Sequence, residues 1–190
     1  MPSCAVAFPG AQETQVTPGV RAASLGAMTS GAAASVQITL LADRPDLIPA
    51  VGHMRWAEWG HWPDSTSLAD WVDVTRSESG RDELPVTFVA VEESGAAAGA
   101  VALGQYEPDE RRDRSPWIMG MIVRPDLRGL AIGRLLLQTL TTSAAAEHGY
   151  QQFWVATGND ALGFYQACGW TAVESFDRPH EHVDILTLML

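Results

Sequence analysis

Lysine is absent from this 190-residue chain, so its twelve strongly basic side chains are all arginine. That excludes Schiff-base chemistry on a lysine amine. The arginines are outnumbered by 23 acidic residues, leaving a net charge of −11. Such a balance disfavours general binding to nucleic acid or to an anionic membrane, both of which draw on excess cationic side chains, and it suits a cationic partner. There are two cysteines, Cys4 and Cys168, too few and too far apart for a disulfide framework or a metal site. Both are expected to be free thiols in a reducing compartment, and no metal is expected. No apolar run approaches the roughly 18 residues of a membrane helix. The opening "MPSCAVAFPGAQETQ" has neither the basic start nor the apolar core of a secretory leader. A cytoplasmic protein without membrane association is expected.

What is present is enough apolar sequence, 46% of residues, to bury the core of one domain. Residues 1–35 are rich in Ala, Gly, Ser, Thr and Pro with almost no charge, and they are expected to form a mobile extension. Residues 36–190 then read as a single domain. "VQITLLA" has the alternation and β-branching of a strand. A helix follows from about Pro45 or Asp46, and a second, "STSLADWVDVTRSE", can be capped by Ser65, Thr66 or Ser67. "PVTFVAVEES" and "AAGAVALGQY" flank a turn at Ser94 and Gly95 and predict a hairpin. Beyond the charged loop "EPDERRDRSP" come the strand "WIMGMIV", a helix from about Leu130 to His148 ending at Gly149, the strand "QQFWVAT", the short helix "DALGFYQAC" and two final strands. The predicted class is α/β, in the order β-α-α-β-β-β-α-β-α-β-β, without internal repeats.

Gly129 and Gly133 stand where the leucine-rich helix should begin, in "VRPDLRGLAIGRLLLQTL". Each glycine inside a helix costs about 1 kcal/mol against alanine, so their presence calls for a physical reason. A strand that ends in a glycine-bearing turn and opens a helix can hold a phosphate, because the helix N-terminus offers unpaired N–H groups and a partial positive charge. The nucleotide-triphosphatase loop requires a Gly-Lys pair that this chain cannot supply, and the dinucleotide fingerprint requires a third glycine.

The segment resembles the phosphate loop of the GNAT family of N-acetyltransferases at Arg128, Gly129, Leu130, Ala131, Ile132 and Gly133, preceded by "MIVRPDL". A second segment, "GNDALGFYQACGW" from Gly158 to Trp170, resembles that family's later helix with its "FY" and closing "GW". The resemblance implies a GNAT fold, a mixed central sheet flanked by helices, and acetyl-CoA as acyl donor. It implies that backbone amides from Arg128 to Arg134 grip the pyrophosphate, that Met121, Ile122 and Val123 pair with the pantetheine arm, and that Asn159 lies near it. Tyr165 would stand beside the sulfur and protonate the departing thiolate, for which a phenol with a pKa near 10 is suited. One position departs from the family pattern: its central glycine is Ala131 here.

The implied reaction is direct acetyl transfer to an amine, with no covalent enzyme intermediate. The family often places a carboxylate base in the strand matching "WIMGMIV", which has no ionisable group in this chain. Base candidates lie elsewhere: Glu58, Glu107, Asp109, His180 and His182, with Glu58 and His182 expected to join Tyr165 as catalytic residues. The acceptor is expected at the first two helices and their link, where Trp59, His61, Trp62 and Asp64 stand close in sequence, together with Glu107 and Asp109. Aromatic faces beside carboxylates suit a small cationic amine, an aminoglycoside-like amino sugar of the kind acetylated in antibiotic resistance. Two other readings are a protein or peptide N-acetyltransferase and a non-catalytic acyl-CoA sensor. Edge strands at the C-terminus would allow a homodimer.

Overall fold

The computed structural model describes residues 35–62, 65, 67–179 and 181–190, and only the backbone of Asn159 and Asp160. The expected extension over 1–35 therefore falls, apart from Ser35, outside the described residues. The main elements are β1 (Val36–Leu40), α1 (Ile48–Trp59), α2 (Leu68–Ser77), β2 (Val86–Glu92), β3 (Ala97–Gly104), β4 (Trp117–Val123), α3 (Ile132–His148), β5 (Gln152–Thr157), α4 (Asn159–Ala167), β6 (Thr171–Arg178) and β7 (Glu181–Met189). This is the predicted order.

The helix boundaries have local causes. A 3-10 turn over Pro45–Leu47 leads into α1, which starts two or three residues later than predicted. Ser67 caps α2: its Oγ accepts from the Asp70 amide at 3.2 Å and donates to the Asp70 carboxylate at 2.6 Å, a reciprocal cap of the Ser-x-x-acid kind. Helix α3 begins at Ile132, two residues later than predicted, because the preceding turn passes through left-handed backbone at Gly129 and Ala131.

The seven strands form one sheet in the order β1-β2-β3-β4-β5-β7-β6. All neighbours are antiparallel except β4 and β5. Strand alternation sends side chains to two covering layers. On β2, Val89 and Val91 join a core with Leu41, Val51, Trp59 and Trp71 beneath α1 and α2. Ala90 faces the other way, into the larger core built by Leu136, Leu137 and Leu140 of α3 with Val101, Ile118 and Phe153. Burying a side chain such as Leu136 contributes on the order of 2 kcal/mol.

Two irregularities in the middle of the sheet set up the site. Ala100 pairs with Ile122 and Ala102 with Met119, so Gly120 and Met121 together oppose Val101. This bulge reverses the alternation: Ile118 packs with α3, yet Ile122, four residues on, packs beneath α1. Strands β4 and β5 pair only at Trp117 with Trp154 and Ile118 with Val155. Beyond those two pairs the strands part, and a cleft opens between them.

Candidate active site

The cleft has a volume of about 850 Å³ and lies where Met119–Val123 of β4 separates from Val155–Thr157 of β5. One wall is the turn and first residues of α3: Leu127, Arg128, Gly129, Ala131, Ile132, Gly133 and Arg134. A second comes from Ala161, Phe164 and Tyr165 of α4, and a third from Glu58, Trp59 and Glu107.

The α3 wall owes its shape to its backbone. Gly129 has φ +81°, a conformation that L side chains rarely adopt, while nothing lies within 4 Å of where its Cβ would be. The turn therefore requires glycine for its dihedral, not for space. Ala131 has φ 61° and ψ 7°, which costs an L residue roughly 1–2 kcal/mol. The two left-handed residues wind the chain into α3, whose N-terminus has neither a side-chain cap nor an acidic residue in its first turn. Its amides and the positive end of its dipole are left for an anion at the cleft. Gly133 serves a different purpose: a Cβ there would come within 2.9 Å of Met121 Cε and 3.1 Å of Phe164 Cζ. Its missing side chain lets α3 seat between β4 and α4. Both glycines expected in the loop are thus required, for separate reasons.

Arginine chemistry sharpens the picture. The other described arginines form ion pairs with carboxylates. Among the described arginines, Arg134 has no such pair; its Nη2 donates to the Ala167 carbonyl at 2.9 Å. An uncompensated guanidinium at the N-terminus of α3 supplies local positive charge in a strongly acidic protein. Arg128 is engaged instead, donating through Nη2 to Glu58 at 2.7 Å and through Nε to the Val123 carbonyl at 3.1 Å.

Tyr165 is 4% exposed, and its ring is held edge-on by Phe164 and Trp170 at 5.2 and 5.7 Å between centroids. Glu107, in the loop after β3, is 3% exposed and lines the same cleft as Tyr165. Trp59 stacks on Trp71 at 5.9 Å and contacts Trp62 at 6.3 Å, so the tryptophans of α1, the link and α2 form one aromatic block behind the cleft. The Cys168 thiol is pushed up by burial, a tendency partly offset by Arg134, which suits a packed thiol and not a nucleophile.

The structure brings together most of the residues singled out in the sequence. Met121, Ile122, Val123, Arg128, Gly129, Ala131, Ile132, Gly133, Arg134, Tyr165, Glu58, Trp59 and Glu107 all line the cleft. Leu130 lies in the loop without lining it, and Trp62 backs Trp59. His61 is exposed, and Asp109 is exposed and bonded to Arg112; neither is a lining residue. His182 is also off the cleft wall, on the β6–β7 hairpin, where Asp177 at 2.6 Å holds its ring and raises its pKa. That ion pair, not a reacting group, accounts for its environment. Asp64, His180 and the Asn159 side chain lie outside the described residues. Among the described residues, no cluster of His, Cys, Asp and Glu could hold a metal ion. No helix among them is long and apolar enough to cross a membrane.

Sequence reasoning missed Arg55 and Gly120. Arg55 is 2% exposed, and its Nη1 donates to Glu78 at 2.5 Å and to Thr75 at 3.3 Å. Its guanidinium reaches under the cleft floor, where a Cβ on Gly120 would come within 2.7 Å of Nη2. A signal was available: Val51, Arg55 and Trp59 recur at intervals of four, which places a charge on the buried face of α1.

Residues 48–170 match the profile of the acetyltransferase (GNAT) family. No curated protein matches the sequence. Among solved structures, a GNAT-family acetyltransferase from Streptococcus pneumoniae is similar with a TM-score of 0.62 at 15% identity, over 82% of this chain and 99% of that one. An N-acetyltransferase from Staphylococcus aureus Mu50 gives 0.61 at 16%, over 82% and 98%. The spermidine/spermine N-acetyltransferase of Vibrio cholerae gives 0.58 at 15%, over 81% and 92%. At these identities the likeness establishes the fold.

Proposed function

The chain belongs to the acetyltransferase (GNAT) family and is an N-acetyltransferase, and from that premise we propose that it acetylates a small cationic amine, an aminoglycoside-like amino sugar, with acetyl-CoA as donor. Acetyl-CoA, when bound, supplies an acetyl group activated as a thioester. The loop residues fit its anionic end: uncapped amides at the start of α3, left-handed backbone at Gly129 and Ala131, and the unpaired Arg134.

The observation that carries the reading is Glu107, a carboxylate withdrawn from bulk solvent on the same cleft as the phosphate loop. A cationic amine drawn to it would have a proton acceptor at hand, which direct transfer requires because only the neutral amine is nucleophilic. Glu107 is therefore assigned as the base on its burial within the cleft, in preference to Glu58, which is part-exposed, and to His182 and Asp109, which lie off the cleft wall. Polarisation of the acyl carbonyl falls in this reading to a backbone N–H of β4 between Met121 and Val123, residues that line the cleft. Tyr165 holds the proton for the leaving sulfur from the α4 wall. The acidic surface and the tryptophan block behind Glu58 favour a cationic acceptor with apolar faces.

The variant Tyr165→Phe tests this assignment. It is expected to slow turnover at least about tenfold with acetyl-CoA affinity unchanged. An unaltered rate would remove Tyr165 from the chemistry.

A further inference from the structure

The contact between Glu58 and Arg128 joins two walls of the cleft that serve different ligands. Glu58 sits near the end of α1, beside Trp59; Arg128 sits seventy residues later, in the turn before α3. Arg128 Nη2 donates to Glu58 Oε2 at 2.7 Å while its Nε holds the Val123 carbonyl at the end of β4. Both side chains line the cleft and both are part-exposed, at 48% for Arg128 and 32% for Glu58. In this arrangement Glu58, the only carboxylate among the described residues that α1 contributes to the cleft, is neutralised by Arg128 from the turn before α3.

An exposed pair of this kind is held by a modest free energy, so a stronger anion can displace Glu58 from Arg128. A pyrophosphate at the start of α3 is such an anion, since it carries more charge and offers bidentate acceptors to a guanidinium. Resting on the acetyl-CoA reading above, we infer that Arg128 is shared between two sites. Without cofactor it masks Glu58; with cofactor it turns to phosphate, and Glu58 becomes an ammonium-binding site for the acceptor. The two ligands then favour each other's binding reciprocally, because each stabilises the separated pair. Glu58 acts here as an acceptor-binding residue, distinct from Glu107 as the base.

Removing Glu58 should therefore tighten the cofactor. Titration calorimetry with CoA on the wild type, Glu58→Gln, Arg128→Gln and the double variant is expected to show about two- to fivefold tighter binding in Glu58→Gln, with little or no gain in the Arg128→Gln background. An equal gain in both backgrounds would mean a general charge effect and would overturn the sharing of Arg128, as would no gain at all. Spermidine, used as a polycationic probe, is expected to bind the CoA-loaded wild type more tightly than the free protein, with a smaller difference in Glu58→Gln. A difference as large in Glu58→Gln as in the wild type would overturn the ammonium site. Failure of all four proteins to bind CoA would instead overturn the acetyl-CoA reading itself.

Discussion

The two sides of the cleft are built from different materials. On the side of α3 the groups proposed to work are chiefly backbone amides, set by the dihedrals of Gly129 and Ala131 and by the close seat of Gly133 between Met121 and Phe164. On the side of α1 and the loop after β3 they are side chains, Glu58, Trp59 and Glu107, delivered from separate parts of the chain. A backbone site leaves a spaced trace in sequence, because only certain residues tolerate left-handed φ or close approach. A side-chain site leaves a weaker one: Glu107 can be named as a candidate but not told apart from the other acids of its charged loop until the fold buries it. The contrast also separates the kinds of damage expected. Changes on the first side should act on cofactor affinity, and changes on the second on the rate with a bound acceptor.

The largest effect is expected on the side-chain wall. Glu107→Gln, nearly isosteric, should lower kcat by about a hundredfold or more while leaving acetyl-CoA affinity as it was. Steady-state kinetics beside a binding isotherm would show this, and a rate within twofold of wild type would return the base to another group. On the backbone wall, Gly133→Val should weaken acetyl-CoA about tenfold and destabilise the fold by about 1–3 kcal/mol through overpacking against Phe164. Calorimetry and urea unfolding measure the two parts. Equal affinity and equal stability would mean that α3 does not need its close seat.

Ala131→Gly should act in the opposite direction on the same wall. It relieves the left-handed alanine but adds glycine's freedom in the unfolded chain, so the net gain is about 0.5–1 kcal/mol, a rise in Tm of a few degrees. A lower Tm would show that the alanine methyl packs favourably. The smallest effect belongs to His182, whose partner Asp177 raises its pKa in the folded state. A raised folded pKa gives stability that is complete below the unfolded value, near pH 6.5, and is lost as pH rises through the folded value. His182→Gln should therefore be slightly less stable than wild type at pH 5.5, equal to it at pH 9, and unchanged in kcat. A large loss of kcat would bring His182 back to the site.

The element order was legible because each strand and helix carries its own period and its own stop. Gly149 ends α3, and Ser67 caps α2 within the three residues expected. The left-handed turn before α3 was legible for the reason given above, although Gly133 proved to serve packing against Phe164 where a phosphate contact alone had been expected. What could not be read was tertiary. The bulge at Gly120 depends on pairing with β3, and Arg55 beneath it depends on Glu78 of the residue following α2. His182 looked catalytic because a histidine between acids suits proton transfer near neutral pH, but the β6–β7 hairpin sets it apart from the cleft. The pairing of Glu58 with Arg128 joins positions seventy residues apart, a separation across which no local pattern extends.

The central claim is that one cleft joins a backbone phosphate site to a carboxylate-lined amine site. It is tested most directly by following release of the CoA thiol from acetyl-CoA across amino-sugar antibiotics, spermidine, amino acids and basic peptides, with wild type and Glu107→Gln side by side. The account predicts turnover with small cationic amines, greatest for amino sugars, and its near loss in Glu107→Gln. Binding of acetyl-CoA without turnover of any amine would contradict it and favour an acyl-CoA sensor.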